Sequence, residues 1–242
     1  MSVASIVVIV AAVGVAALVQ GISGFGFALV VAPAAAALFG PKAAVTLVTV
    51  LGLVIPIGMA WNLRAHLDRP LAARLAATSL LGLPIGLVAL ILLPTSALKA
   101  LIAVGVIASA LFLWRRPTFG HPGPALDVTA GMVAGALATS TGTNGPPLVL
   151  ALQARRLAPD AFRATYAAIS VTTNVVVTVV LVASGQFRTA MIGPALWALP
   201  LLLVCWGIGA RVRDRIPAHQ FRNLVLGLLV VSAAVSLVAA VA

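Results

Sequence analysis

Two clusters of small polar residues interrupt otherwise apolar sequence. The stretch 126–153 is cut by Ser140-Thr141-Gly142-Thr143-Asn144-Gly145-Pro146-Pro147, and the stretch 3–39 is cut after Gln20 by Gly21-Ile22-Ser23-Gly24-Phe25-Gly26. Proline is favoured in the first turn of a helix, so Asn144 is expected to stand just before a half-helix. The free N–H groups and positive dipole end of such a half-helix, beside the hydroxyls of Ser140, Thr141 and Thr143, suit an anion. The same geometry is expected at Gly24-Phe25-Gly26, where glycine lets a ligand approach the backbone and Gln20 and Ser23 add polar groups. A third group, Ser170, Thr173 and Asn174, falls on one helical face, and an asparagine inside an apolar helix needs a neighbouring helix or a ligand as partner. The candidate binding set is Gln20, Ser23, Gly24, Gly26, Thr141, Gly142, Thr143, Asn144 and Asn174. The competing reading is that Thr143 or Asn144 only caps its half-helix, the glycines only pack helices and Asn174 only joins two helices. Thr46 and Thr49 are expected to bond their own helix backbone.

Nothing in the sequence points to catalysis or to a metal. His66, His121 and His219 and the aspartates Asp68, Asp127, Asp160 and Asp214 all fall in predicted loops, which leaves no carboxylate within an apolar span. Zincin-type helices, nucleophile elbows and phosphate-cradling loops are missing. No cofactor is expected. The lone Cys205 lies in an apolar run and excludes an intrachain disulfide.

The surrounding elements belong in a bilayer. The chain is 62% hydrophobic and 8% charged, with a mean hydropathy of +1.20, against about 25% charged residues in soluble domains. Its net charge of +11 does not indicate nucleic acid, because the cations sit in short gaps between apolar runs instead of on a polar face. The first 20 residues carry no Lys or Arg, unlike a signal peptide, and are read as mature structure. A lipid-facing helix needs about 20 unbroken apolar residues. Six runs meet that length, at 43–61, 71–93, 97–114, 164–184, 190–210 and 223–241. Each half of a broken segment is expected to be too short to cross.

The expected fold is therefore an all-α polytopic membrane protein in one domain, 1–242, made of two repeats, 1–116 and 125–242, joined by a cytoplasmic linker at 117–124. Each repeat is a broken or re-entrant helical hairpin plus three transmembrane helices. The halves correspond at a steady offset: Gly24 with Gly142 and Pro41 with Pro159, both 118 apart, then Leu83-Pro84 with Leu199-Pro200, and Pro94 and Lys99 with Pro217 and Arg222. With the 62–74 loop placed in the cytoplasm, twelve of the 15 Lys and Arg collect on that side and only Lys42, Lys99 and Arg188 lie outside. Three crossings per half invert the second repeat, so the two breaks enter from opposite faces and their tips are expected to meet near the midplane. Arg155, Arg156 and Arg163 flank the cytoplasmic mouth of the second break, where they could concentrate anions.

The run Gly14, Gln20-Gly21-Ile22-Ser23-Gly24-Phe25-Gly26-Phe27, Pro33, then Leu83-Pro84-Ile85-Gly86, then a second glycine-bearing break, resembles the sulfite exporter TauE/SafE family over nearly the whole chain. In that family the second break is richer in glycine; here Thr143, Asn144, Pro146 and Pro147 replace part of it. The resemblance implies a permease of the bacterial inner membrane that moves sulfite, sulfonates or other small anions, commonly outward. The expected partners are that anion and the lipid bilayer, with a homo-oligomer left open. Two other classes stay open, a non-transporting membrane scaffold and, less favoured, an intramembrane enzyme.

Overall fold

The computed structural model describes residues 3–115 and 123–213, and all regular structure within them is helical. The order is α1 (Val3–Ser23), α2 (Phe27–Phe39), α3 (Pro41–Asn62), α4 (Arg69–Leu92), α5 (Thr95–Arg115), α6 (Pro124–Thr141), α7 (Gly145–Ala154), α8 (Pro159–Ala183) and α9 (Ile192–Val212). The expected span at 223–241 lies outside the described residues, as do His121, His219, Asp214 and most of the linker. Prolines start α3, α6 and α8, where their missing N–H costs nothing. The Asp68 carboxylate caps α4 by accepting from the Leu71 N–H at 3.1 Å.

Both breaks fall where the sequence puts them, but the half-helices are unequal. α1 has 21 residues, about 31 Å at the helical rise, long enough to cross by itself. α2 and α7 have only 13 and 10, about 20 and 15 Å, and must turn inside protein. The expectation that every half is too short thus fails for α1. Its helical hydrogen bonds simply run through Gly21 to Ser23, three residues into the polar cluster. Five helices among the described residues are long and apolar enough to cross: α1, α3, α4, α8 and the stretch Thr189–Val212.

Pairing of the long helices rests on small residues. α4 and α6 run parallel with backbones touching: a Cβ on Gly82 or Gly86 would strike Met132 or Ala136, and one on Gly131 or Gly135 would strike Thr78 or Ser79. In lipid, where apolar burial gives helices no reason to associate, such close van der Waals contact is what holds them. α1 and α9 pair the same way, with Gly14 against Leu201 and Gly21 against Gly209 and Ala210. Exchanging each helix for its counterpart in the other half turns one pair into the other. α3 and α8, which begin at the matched Pro41 and Pro159, pack antiparallel, with Thr46 near Arg188, Gly52 near Asn174 and Met59 near Arg163.

Outside this core, Leu81, Val88, Leu92, Val179, Leu196 and Val204 are exposed, the surface that hydrocarbon covers. Arginines gather at one end of the bundle, at the C-terminal ends of α3, α7 and α9 and the N-terminal ends of α4 and α8. Trp61 stands there with the Arg64 guanidinium 5.0 Å from its ring, as in the aromatic belts of membrane surfaces. Lys42 and Arg188 share a pocket at the opposite end.

Candidate functional site between two helix breaks

The two breaks are built alike. Gly24 and Gly142 each end a long helix in the left-handed conformation, at φ +88° and +77°, which favours glycine. Each N–H closes on the carbonyl four residues back, Gly24 on Gln20 at 2.8 Å and Gly142 on Ala138 at 3.1 Å. The tips do not meet at the midplane. Gly24 packs near Met59 and Arg163, whereas Gly142 packs on Val45 and Val48, so the tips stand about 16 Å apart along α3 from Val48 to Met59. Each long helix overshoots, and the tips close opposite ends of one cavity.

That cavity is lined by Gln20, Phe27 and Ala28 from the first break, Gly142 and Asn144 from the second, Val48, Gly52 and Pro56 from α3, and Tyr166, Ser170 and Asn174 from α8. The α3 and α8 residues are counterparts at the 118 offset: Val48 with Tyr166, Gly52 with Ser170, Pro56 with Asn174. The α8 members carry hydrogen-bonding side chains where their α3 counterparts carry none. Among the described residues, no carboxylate, lysine or arginine lines it.

Four members of the expected set, Gln20, Gly142, Asn144 and Asn174, line the cavity. Asn144 precedes α7 in helical conformation, φ −89° and ψ −11°, and its side chain makes no capping bond; its Nδ2 is buried without a partner. The capping alternative is thus not realised. Gln20 Oε1 is likewise buried and unpartnered, and its amide can turn to present either end. Asn174 does what the plainer alternative expects, donating from Nδ2 to the Gly52 carbonyl at 3.1 Å, while still facing the cavity. Ser170 Oγ interacts with the Tyr166 hydroxyl one turn earlier but meets hydrogen-bond geometry with no group. Thr173 Oγ1 is also buried without a partner.

The other five do not line it. Ser23 Oγ donates to the Val19 carbonyl at 2.8 Å and accepts from the Phe25 N–H at 3.1 Å, which shapes the turn. Thr141 and Thr143 hydroxyls bond each other at 2.7 Å, and Thr141 also bonds the Leu137 carbonyl. Gly24 and Gly26 supply the backbone turn.

The dipole argument also needs revising for the second break. Of the N–H groups that α7 would leave free, those at 146 and 147 do not exist, because both residues are proline. α2 is better endowed: Leu29 N–H closes on Gly26, leaving the N–H groups of Phe27 and Ala28 in the first turn, at the cavity wall. Backbone donors therefore come from the first break and the side-chain donor Asn144 from the second.

The family model for the sulfite exporter TauE/SafE matches residues 9–236. The chain belongs to the TauE/SafE family. This is a family of transporters, and membership points to a membrane anion permease or exporter. No curated protein and no solved structure matches the chain.

Two features of this TauE/SafE chain were not anticipated. Asp127 is not in a loop: it lies in the first turn of α6, fully buried, with Arg74 Nη1 at 2.9 Å and Arg155 Nη2 at 2.6 Å on the same oxygen. The group pins the C-terminal end of the short α7 to α4 and α6, as a ten-residue half-helix requires. The second is Tyr166, the chain's single tyrosine, stacked on Phe162 with Phe25 edge-on at 6.4 Å. It sits one turn before Ser170 on the face already singled out, and extending that face by four residues would have found it.

Proposed function

We propose that the protein is a secondary permease that exports a small, sulfur-containing anion such as sulfite or an organosulfonate, bound in the cavity between the two break tips. The observation that carries this reading is a cavity lined by neutral hydrogen-bonding side chains, of which Gln20, Asn144 and Ser170 each bury a polar atom without a partner, and by no carboxylate among the described residues. A buried donor without a partner is costly, and a ligand that accepts from it recovers that cost. Neutral donors and a helix N-terminus hold an anion firmly enough to bind and loosely enough to release.

Two inverted repeats are the architecture that best accounts for the antiparallel α3 and α8, the matched helix pairs and the twin breaks. The arginine-rich end is assigned to the cytoplasm and the membrane to the bacterial inner membrane. About 20 Å³ of the cavity is open to the centre of a water-sized sphere, room for about one water, so loading an anion requires one tip to move. At the outer end lies an apolar layer of Val45, Leu98, Ala138, Val177 and Leu181; at the inner end lies the ring cluster of Phe25, Phe162 and Tyr166. Flux of sulfite, methanesulfonate and sulfate from loaded proteoliposomes tests the reading, and flux no greater than from protein-free vesicles defeats it.

A further inference from the structure

We infer that the end of the bundle opposite the arginine-rich one holds a second anion site, distinct from the cavity, in which Lys42 and Arg188 receive the oxyanion that leaves past the second tip. The site stands on its own geometry; its place on the exit path rests on the permease reading. A pocket of about 380 Å³ opens there, with Phe39, Gly40, Thr95 and Ala190 around the two cations. Lys42 is half-buried and Arg188 exposed, and neither side chain has a hydrogen bond or ion pair among the described residues. No described carboxylate lines the pocket. The four acidic residues of the chain are Asp68, Asp127 and Asp160, at the starts of α4, α6 and α8 at the other end, and Asp214, next to Arg213 in sequence. Loop charge accounts for cations at the arginine-rich end. It does not account for two that converge at the end where only Lys42, Lys99 and Arg188 are expected. The residue 118 positions on from Lys42 is Asp160, so the shared frame demands no cation at the start of α3 either.

One buried threonine brings the two cations together. Thr46 Oγ1 donates to the Lys42 carbonyl at 3.1 Å and accepts the Arg188 N–H at 3.2 Å, which ties the first turn of α3 to the loop before α9. Lys42 stands six residues before Val48 on α3, about 9 Å along the helix. Val48 lines the cavity, and Gly142 packs on Val45 and Val48. The pocket therefore lies just beyond the second tip and the apolar layer that contains Val45. An anion that passes that tip leaves neutral donors and meets two full positive charges in contact with water. Water and salt screen exposed charges, so the site is weak, and a site on an exit path must be weak enough for the ion to leave. A lipid phosphate carries the same oxyanion chemistry, and the experiment separates the two sources.

Protection of a cysteine tests the site without relying on transport. In a Cys205→Ala background, Ala190→Cys puts a thiol at an exposed position lining the pocket, to be labelled by uncharged N-ethylmaleimide in nanodiscs of zwitterionic lipid. Methanesulfonate serves as the anion, because sulfite would consume the reagent. It should slow labelling saturably at Ala190→Cys and leave Ala65→Cys, at the other end, unaffected. Lys42→Gln and Arg188→Gln should each raise the half-protecting concentration about two- to fivefold, the scale of an exposed ion pair. No protection, or protection unchanged in the double variant, overturns the site. Protection that appears only when phosphatidylglycerol is added, and ignores methanesulfonate, gives the pocket to a lipid phosphate and overturns its place on the exit path. That place is read separately as methanesulfonate efflux from loaded proteoliposomes, expected to fall about fivefold in the double variant; unchanged efflux overturns it. Saturable protection that depends on Lys42 and Arg188, together with no efflux from the wild type, would instead overturn the permease reading and leave the site standing.

Discussion

Replacing Asn144 by alanine separates binding from folding, because the two roles predict opposite signs. The side chain is 5% exposed, makes no capping bond, and holds Nδ2 without a partner. Truncation therefore breaks no hydrogen bond at Nδ2 and removes a buried donor whose desolvation is uncompensated, so stability in the absence of anion should hold or rise. Bound anion loses one hydrogen bond to a charged group, about 1.5 to 3 kcal/mol, which is about 10- to 150-fold in affinity. The assay is efflux against internal anion concentration, paired with thermal unfolding of the purified protein with and without anion. At about 100 times its dissociation constant an anion stabilises the wild type by about 2.7 kcal/mol, and in Asn144→Ala that gain should fall to between about 1.4 and 0.3 kcal/mol at the same concentration. A lower melting temperature with unchanged half-saturation would return Asn144 to a structural role and refute the reasoning. Thr143→Val is the control: its hydroxyl bonds Thr141 and does not line the cavity, so affinity should move far less.

Further expectations concern the frame. Gly135→Ala, which forces a Cβ into the Ser79 backbone, should lower the melting temperature sharply, whereas Gly193→Ala, with nothing within 4 Å of its Cβ, should leave it unchanged; equal effects would contradict the close packing of α4 on α6. Asp127→Asn leaves Arg74 and Arg155 without their carboxylate and should cost about 3 kcal/mol of stability, the lower end of the range for a broken buried pair since Arg74 is 45% exposed. Asp160→Asn, at 39% exposure, should cost under about 1 kcal/mol in the same unfolding assay. In intact cells carrying Cys205→Ala, an impermeant maleimide should reach Thr189→Cys and not Ala65→Cys, both at exposed positions. The reverse labelling would invert the proposed orientation.

Much of this frame was legible because membrane helices announce their ends. Runs of apolar residues, prolines at 41 and 159, and glycines at 24 and 142 are local signals, and the helices begin and break there. Depth was not legible. How far α1 runs before turning depends on Gly21 nesting against Gly209 and Ala210, a contact between residues some 190 positions apart, and so the tips overshoot a midplane meeting that symmetry alone suggested. The burial of Asp127 likewise depends on Arg74 and Arg155, 53 and 28 residues away. In the site, Gln20, Asn144 and Asn174 stood out because polar side chains are costly in apolar surroundings. Ser23, Thr141 and Thr143 stood out for the same reason, but short hydroxyl side chains can satisfy themselves on nearby backbone or each other, and these do. The prolines at 146 and 147 marked the helix start correctly; that they also delete two donors follows from the same residues.

The permease reading is tested most directly by reconstituted vesicles loaded with sulfite or methanesulfonate and clamped by a valinomycin potassium gradient. With no carboxylate lining the cavity among the described residues, a proton relay has no carrier among them, and an anion should move down its own electrochemical gradient. An inside-negative potential of 100 mV favours exit of a monovalent anion by about 2.3 kcal/mol, or about 50-fold. Efflux is expected to rise with that potential and to ignore an imposed pH gradient. Efflux that follows the pH gradient and ignores the potential would contradict uniport, and no efflux above protein-free vesicles would contradict transport itself.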